Sequence, residues 1–211
     1  VALVDDILAM SKLEAEECNE QQIAFNLAEV LNHSNTEKQM EAAEKNVEYI
    51  VDWENSELNH MHLYGNPVYL ERVLIIIANN AIKFTNPGGH ICVSCKETYA
   101  DDKKVVYEFV CSDTGIGMNE EFISHAFDMF SQENESSRTK FEGSGLGLAI
   151  AKKIIDRMNG TIRIESKKNF GTTVTVTIPF DIANSDEIIG IVDCDSISVE
   201  GMHAMLVEDN E

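Results

Sequence analysis

The sequence predicts an α/β fold, a two-layer sandwich with helices packed on one face of a mixed, mostly antiparallel sheet. Two features point to it. Residues 91–98 with 105–111, and 161–166 with 172–180, alternate apolar and polar side chains as hairpins of half-buried strands do. Residues 68–84 and 145–158 carry helical apolar spacing, and each is entered from a turn built on Pro67 or on glycines.

Taken in order, residues 1–17 place Leu3, Val4, Ile7, Leu8 and Met10 at helical spacing with acids between them. Residues 23–27 read as a short strand. Residues 27–45 read as a helix with Leu27, Val30, Leu31 and then Met40 on one side. Residues 47–53 alternate and make a strand that ends at Trp53, the one tryptophan, expected in the core. Residues 62–67 are a strand end and a turn. The helix over 68–84 follows, apolar nearly all round at 73–78, hence a buried helix. Asn86-Pro87-Gly88-Gly89 is a turn. After the first hairpin, residues 120–127 read as a short helix with Asn119 as N-cap. Residues 128–144 have little apolar periodicity and are long for an internal loop, which is the habit of lids and of disordered segments. The helix over 145–158 ends at Asn159-Gly160.

Composition bounds the partners. Sixteen basic against 37 acidic side chains give a formal charge of −21, which argues against nucleic acid or an anionic membrane as partner. Residues 181–211 hold nine acids and no Lys or Arg, so part of the excess lies in the tail. The longest apolar run, residues 73–78, is too short to span a bilayer. No secretory signal is visible, and a chain opening on Val is expected to be a fragment. The five cysteines suit a reducing compartment. Cys92 and Cys95 have metal-motif spacing but sit in a strand, where positions three apart face opposite ways.

Chemistry concentrates in three places. Gly143, Ser144, Gly145, Leu146, Gly147 and Leu148 run into a helix, whose first turn leaves N–H groups unpaired at the positive end of its dipole. Glycines there let an anion approach, which reads as a phosphate site; a flexible loop closing onto a helix is the other reading. The spacing fits neither the dinucleotide fingerprint nor a P-loop. Asp113 stands just past the strand over 105–111 and is followed by Gly115, Ile116, Gly117 and Met118. An ionised carboxylate only accepts hydrogen bonds and suits an amino group such as that of adenine; an ordinary Asp-Gly turn is the other reading. Asn79, Asn80 and Lys83 are polar groups in or beside a buried helical run. Leaving one unpaired costs about 1–3 kcal/mol, so they meet a ligand, a metal or each other, or Asn79 faces solvent. An amide oxygen suits Mg²⁺, and Lys83, three residues on, can reach phosphate or lie solvated.

These segments, in this order, resemble the ATP-binding domain of sensor histidine kinases (the Bergerat-type fold shared with gyrase, MutL and Hsp90). The family's asparagine box matches residues 80–85, its first glycine box 113–118 and its second 143–148. Its phenylalanine box is similar to Phe127-Asp128-Met129-Phe130, and Gly171-Thr172-Thr173 fits its closing strand. The resemblance implies ATP and Mg²⁺ as cofactors. Asn80 then holds the metal, the family match choosing it over Asn79, and Lys83 meets the phosphates. Asp113 reads the adenine amino group beside Gly115, Ile116, Gly117, Met118 and Thr172. The segment with Phe130, Arg138 and Lys140 is the ATP lid, its basic pair facing phosphates or merely solvated. Asn169 stands where the family often has glycine, so a looser turn is expected there.

The resemblance further implies a domain order. Residues 1–18 are the end of a dimerisation hairpin helix and 19–181 the catalytic domain. Residues 182–202 are an acidic linker, and 203–211, with Met205-Leu206-Val207-Glu208-Asp209, start a receiver domain. The implied whole is a cytoplasmic hybrid histidine kinase, itself free to be membrane-anchored. It passes the γ-phosphoryl group to a histidine on a dimerisation helix absent here and then to a receiver aspartate. The isolated chain is expected not to autophosphorylate. One departure matters. One turn before Asn80 the kinases commonly have a second Asn and the related ATPases a Glu base, whereas this chain has Ile76. Ile76 disfavours a gyrase- or MutL-like ATPase and keeps open a non-catalytic nucleotide-binding or scaffold domain.

Overall fold

A computed structural model describes residues 22–53, 58–131 and 144–183. The expected readings of residues 1–18 and 203–211, and of the 182–202 linker beyond Ala183, lie outside them; Ile182, expected in that linker, instead ends the last strand, paired with Leu63.

Seven strands form one sheet in the order β1 (Ile23–Asn26), β3 (His62–Gly65), β7 (Gly171–Ile182), β5 (Lys104–Asp113), β4 (His90–Ala100) and β2 (Glu48–Asp52), with β6 (Thr161–Lys167) also on β7. Only β2 and β4 run parallel, so the sheet is mixed and mostly antiparallel as predicted. β7 is its spine. One edge carries β5 along ten residue pairs; the other carries β6 along residues 171–177 and then β3 at Asp181 and Ile182.

Alternation sorts the faces. Ile91, Val93 and Cys95, Val105 to Cys111 at every second residue, and Val174, Val176, Ile178 and Phe180 point into the core. The helices α1 (Leu27–Glu44), α2 (Pro67–Phe84) and α4 (Gly147–Arg157) cover that face, with α3 (Glu120–Ile123) a single turn. α3 is shorter than the sequence implied, and Asn119 makes no side-chain cap bond. The hairpin strands β4 and β5 are longer than expected at both ends.

α1 departs from its apolar reading. Its buried stripe is Leu27, Leu31, Ser34, Asn35, Lys38 and Ala42, while Met40 is 61% exposed. The stripe stays buried because its polar members are paired. Ser34 Oγ and Asn35 Nδ2 both donate to the Leu31 carbonyl, and the Tyr49 hydroxyl donates to Asn35 Oδ1. Trp53 is half-buried against the core.

α2 starts cleanly. Asn66 accepts from the Tyr69 N–H at 3.0 Å, and Pro67 takes the first helical position. Leu70, Val73, Ile77, Ala81 and Ile82 are buried; Leu74, Ile75 and Ile76 are only half-covered, so the helix is not enclosed all round.

Its far end is fully accounted for. A helix leaves four carbonyls without intrahelical donors. Here Ala81 receives the Thr85 N–H and hydroxyl, and Phe84 receives the Ile116 N–H at 3.1 Å. Ile82 and Lys83 share the Lys45 ammonium at 2.6 and 2.7 Å. Burial at that position lowers the Lys45 pKa.

Lys45→Met strips two carbonyls of their charged donor, and we expect a loss of about 1–3 kcal/mol of stability. Lys45→Arg, which keeps the charge and the donors, should recover most of it. Chemical denaturation of the three proteins checks the order.

Candidate functional site

β5 ends at Asp113, directly opposite Thr172 of β7. Asp113 Oδ1 accepts from the Gly115 N–H at 2.8 Å and the Thr172 N–H at 3.2 Å. Burial raises the pKa of this carboxyl, and the two N–H donors partly offset that shift. The chain then loops under α2 and against the turn between β6 and β7. The Asn169 N–H donates to the Ile116 carbonyl at 2.7 Å, and the Met118 N–H to Ser166 Oγ at 2.9 Å.

The glycines here answer to the protein's own backbone. Gly117 has φ 60°, and a Cβ on it would lie 2.0 Å from the Lys167 carbonyl oxygen. Gly171 has φ 112°, and its Cβ would lie 1.9 Å from the Asp113 carbonyl oxygen. Two backbone segments thus interlock beside the Asp113 carboxylate. The turn at Asn169 is not loosened. Asn169 itself takes φ 65°, as Asn tolerates, and Phe170 N–H closes onto the Lys167 carbonyl at 2.9 Å.

The second glycine stretch begins α4 at Gly147, two residues later than its predicted start at Gly145. Leu146 is the N-cap residue. Its side chain is 2% exposed and anchors the core, its N–H donates to Ser144 Oγ at 3.2 Å, and its carbonyl receives the Ile150 N–H. Leu146 is therefore an anchor, with its N–H already engaged. The N–H groups of Gly147, Leu148 and Ala149 are the ones without an intrahelical acceptor.

α4 starts against α2. A Cβ on Gly147 would lie 3.4 Å from Ile76 Cγ2. Asn80 lies one turn on, on the same face of α2 as Ile76. It is half-buried, while Asn79 is exposed. The half-buried Lys83 ammonium lies 4.8 Å from the Phe84 ring centroid, and desolvation lowers its pKa. α2 thus adjoins the Asp113 loop at its last residue, Phe84, and the α4 start at its middle, Ile76. Asp113 and Thr172 are joined directly, and α2, which carries Asn80 and Lys83, touches both the Asp113 loop and the first turn of α4.

Phe130, 63% exposed with φ 62°, donates its N–H to the Gly145 carbonyl at 3.1 Å. That bond joins the two ends of the expected lid. Arg138, Lys140 and Gly143 lie outside the described residues. Among the described residues no group of three His, Cys, Asp or Glu side chains is placed to hold a metal ion, and no helix is long and apolar enough to cross a membrane. Cys95 and Cys111 are buried and Cys92, on the opposite face, is half-buried. Burial pushes the Cys111 thiol up to about 12, so it is inert.

Two contributors escaped the sequence reading. Ser166 joins Met118 to β7, and Lys45 closes the end of α2. Ser166 had one visible signal, a hydroxyl at an inward position of an alternating strand. Lys45 had none, because its partners are carbonyls 37 and 38 residues away.

Comparison with known proteins gives one family. Residues 65–182 match the histidine kinase-, DNA gyrase B-, and HSP90-like ATPase family. The chain is 30% identical over 220 residues to the autoinducer 2 sensor kinase/phosphatase LuxQ of Vibrio parahaemolyticus, covering all of this chain and 25% of that protein. It is 31% identical over 182 residues to the signal transduction histidine-protein kinase BarA of Escherichia coli, covering 86% of this chain and 20% of that one. The chain thus spans a quarter or less of these relatives. Among solved structures, full-length ShkA in complex with AMPPNP superposes with a TM-score of 0.72 at 24% identity, over 87% of this chain and 36% of that one. The catalytic domain of the histidine kinase ThkA superposes with a TM-score of 0.59 at 26% identity, over 75% of this chain and 95% of that one. With the fold, the motif order and more than half of its length in agreement, the chain belongs to the histidine kinase-, DNA gyrase B- and HSP90-like ATPase family, and its relatives within that family are sensor and hybrid histidine kinases.

Proposed function

We propose that this chain is the ATP-binding catalytic domain of a hybrid sensor histidine kinase, which transfers the γ-phosphoryl group of ATP to a histidine on a dimerisation helix of the parent protein. The observation that carries the reading is one juxtaposition. A half-buried carboxylate, with one oxygen held by two backbone N–H groups, lies against the last residue of α2, and an uncapped helix start lies against its middle, one turn before Asn80.

In this reading Asp113 accepts from the adenine amino group, with Thr172, Gly115, Ile116, Gly117 and Met118 around the base. The N–H groups of Gly147 and Leu148, with Lys83 and the lid residues Arg138 and Lys140, hold the phosphates. Gly143, Ser144 and Gly145 shape the approach to them, and Phe130 closes the lid's base. Asn80 offers an amide oxygen, a hard ligand of the kind Mg²⁺ takes, and would hold the ion together with phosphate oxygens and water. Bound there, Mg²⁺ would neutralise charge building on the bridging oxygens. The acceptor imidazole nitrogen forms a bond to the γ-phosphorus as the β–γ bridging P–O bond breaks and ADP leaves. The protein's part is positioning and charge neutralisation. Onward transfer to a receiver aspartate, and the division into residues 1–18, 19–181, 182–202 and 203–211, belong to the same reading of the parent.

Ile76 supports a second reading, a nucleotide-binding domain without kinase activity. An aliphatic chain facing Gly147 one turn from Asn80 offers no oxygen to a metal and no base to a water.

Titration calorimetry with ATP, with and without Mg²⁺, tests both. Saturable one-site binding strengthened by Mg²⁺ is expected, together with phosphorylation of an acceptor helix supplied in trans. ATP binding indifferent to Mg²⁺, with no phosphorylated acceptor, favours the second reading; no ATP binding by a folded sample defeats both. Ile76→Asn should increase the gain in affinity that Mg²⁺ brings.

Asp113→Asn gives a prediction with two signs. The folded-state pKa of Asp113 is raised, so its ionisation opposes folding increasingly as pH rises from the unfolded value through the folded one. At pH 7 the Asn variant should therefore melt a few degrees higher, a gain that vanishes toward pH 3–4. Its affinity for ATP should fall about ten- to a hundredfold, the scale of one buried charge-assisted hydrogen bond. Thermal melts across pH and the same titration check the two halves.

A further inference from the structure

Ser166 sits at the inner edge of the proposed base site, one strand away from Asp113. It pairs across β6 and β7 with Thr172, which itself pairs with Asp113. Its hydroxyl makes three hydrogen bonds. Ser166 Oγ accepts from the Met118 N–H at 2.9 Å, donates to the Gly171 carbonyl at 2.9 Å, and lies 2.8 Å from Thr172 Oγ1.

A hydroxyl has one proton and two lone-pair positions. The Gly171 carbonyl can only accept, so the Ser166 proton is committed to it. In the bond between the two hydroxyls Thr172 must then be the donor. The Thr172 proton points at Ser166, and Thr172 Oγ1 is left with lone pairs alone for any other partner. Beside it the Asp113 carboxylate, once ionised, also only accepts. Thr172 is 8% exposed, so bulk water has little access to reorient its hydroxyl.

We propose that Ser166 is a specificity-determining positioning residue: by taking the Thr172 proton it makes the Asp113–Thr172 edge acceptor-only, and so selects purines carrying a 6-amino group over those carrying a 6-oxo group. The inference rests on the nucleotide-site reading above. A 6-amino group offers two protons, one for each acceptor. A 6-oxo group brings no proton to either acceptor, and the neighbouring N1–H of a 6-oxo purine serves one of them at most, so at least one site group stays unpaired, the situation in which polar sites discriminate most strongly. Without Ser166, the Thr172 hydroxyl is free to turn and donate to the oxo group.

The test compares ATP with inosine triphosphate, which carries the same triphosphate on a 6-oxo purine, by calorimetry on this chain. The wild type should prefer ATP. Ser166→Ala should shrink that preference about tenfold, mainly by improving inosine triphosphate, one hydrogen bond's worth of discrimination. Thr172→Val should shrink it as well, and the double variant no further than Thr172→Val alone, because both act through the same hydroxyl. Ser166→Thr, which keeps a hydroxyl, should retain the preference. If Ser166→Ala does not fold, Ser166→Cys, with a far weaker donor and acceptor, carries the comparison. An equal loss for both nucleotides makes Ser166 purely structural and overturns the proposal, as does an unchanged ratio. Failure of the wild type to bind either nucleotide overturns the site reading itself, which distinguishes the two failures.

Discussion

The end of α2 is the constraint on which the rest depends. A helix that stops inside a protein must find donors for its last four carbonyls. Here they come from three separate stretches: Thr85 just beyond the helix, Lys45 after α1, and Ile116 in the loop after β5. Satisfying one backbone therefore docks α1 and the Asp113 loop onto the helix that carries Asn80 and Lys83. The Asp113 loop cannot leave that helix without unpairing the Phe84 carbonyl.

The same economy governs the Asp113 side. Its carboxylate is buried enough to raise its pKa, although the N–H groups of Gly115 and Thr172 favour the charged form. Those donors are in place because Gly117 and Gly171 allow two backbones to approach within distances that any side chain would forbid. An acceptor held in a desolvated position is costly to the fold and selective toward a ligand, the usual exchange of stability for recognition.

The architecture was legible because its signals are local. Alternation marked the hairpins, and glycines marked both loops and the helix start. What escaped was non-local or polar. α1 buries Ser34, Asn35 and Lys38, which no apolar stripe announces, because the Leu31 carbonyl and Tyr49 pair the first two and acids meet the third. Met40 has the right chemistry for a core and the wrong phase for this helix. Asn169 replaced a glycine without loosening its turn, because Asn adopts positive φ at modest cost. In the candidate site, sequence singled out Asp113 and Thr172, which the fold joins by a hydrogen bond, and Asn80 and Lys83, which stand on the helix the Asp113 loop docks against. It also singled out Leu146, which turns inward and acts as an anchor. Ser166 and Lys45 act through hydrogen bonds to partners distant in sequence or separated by a turn, and periodicity carries no trace of those.

Ile76 bears on how such a site divides its work. The side chain lies against the start of α4, where three N–H groups have no intrahelical acceptor. An aliphatic wall there lowers the local dielectric and strengthens the attraction between those N–H groups and an anion. It supplies nothing to a cation. On the proposed reading, phosphate affinity then rests more on the helix start and on Lys83, whose depressed pKa reflects the same desolvation, and less on metal bridging. Binding and chemistry separate at this position. A site can hold a triphosphate by dipole and ammonium alone, but neutralising the charge that builds as the β–γ bond breaks draws most on the metal. On the proposed reading, Ile76 thus weakens the transfer step more than the binding step.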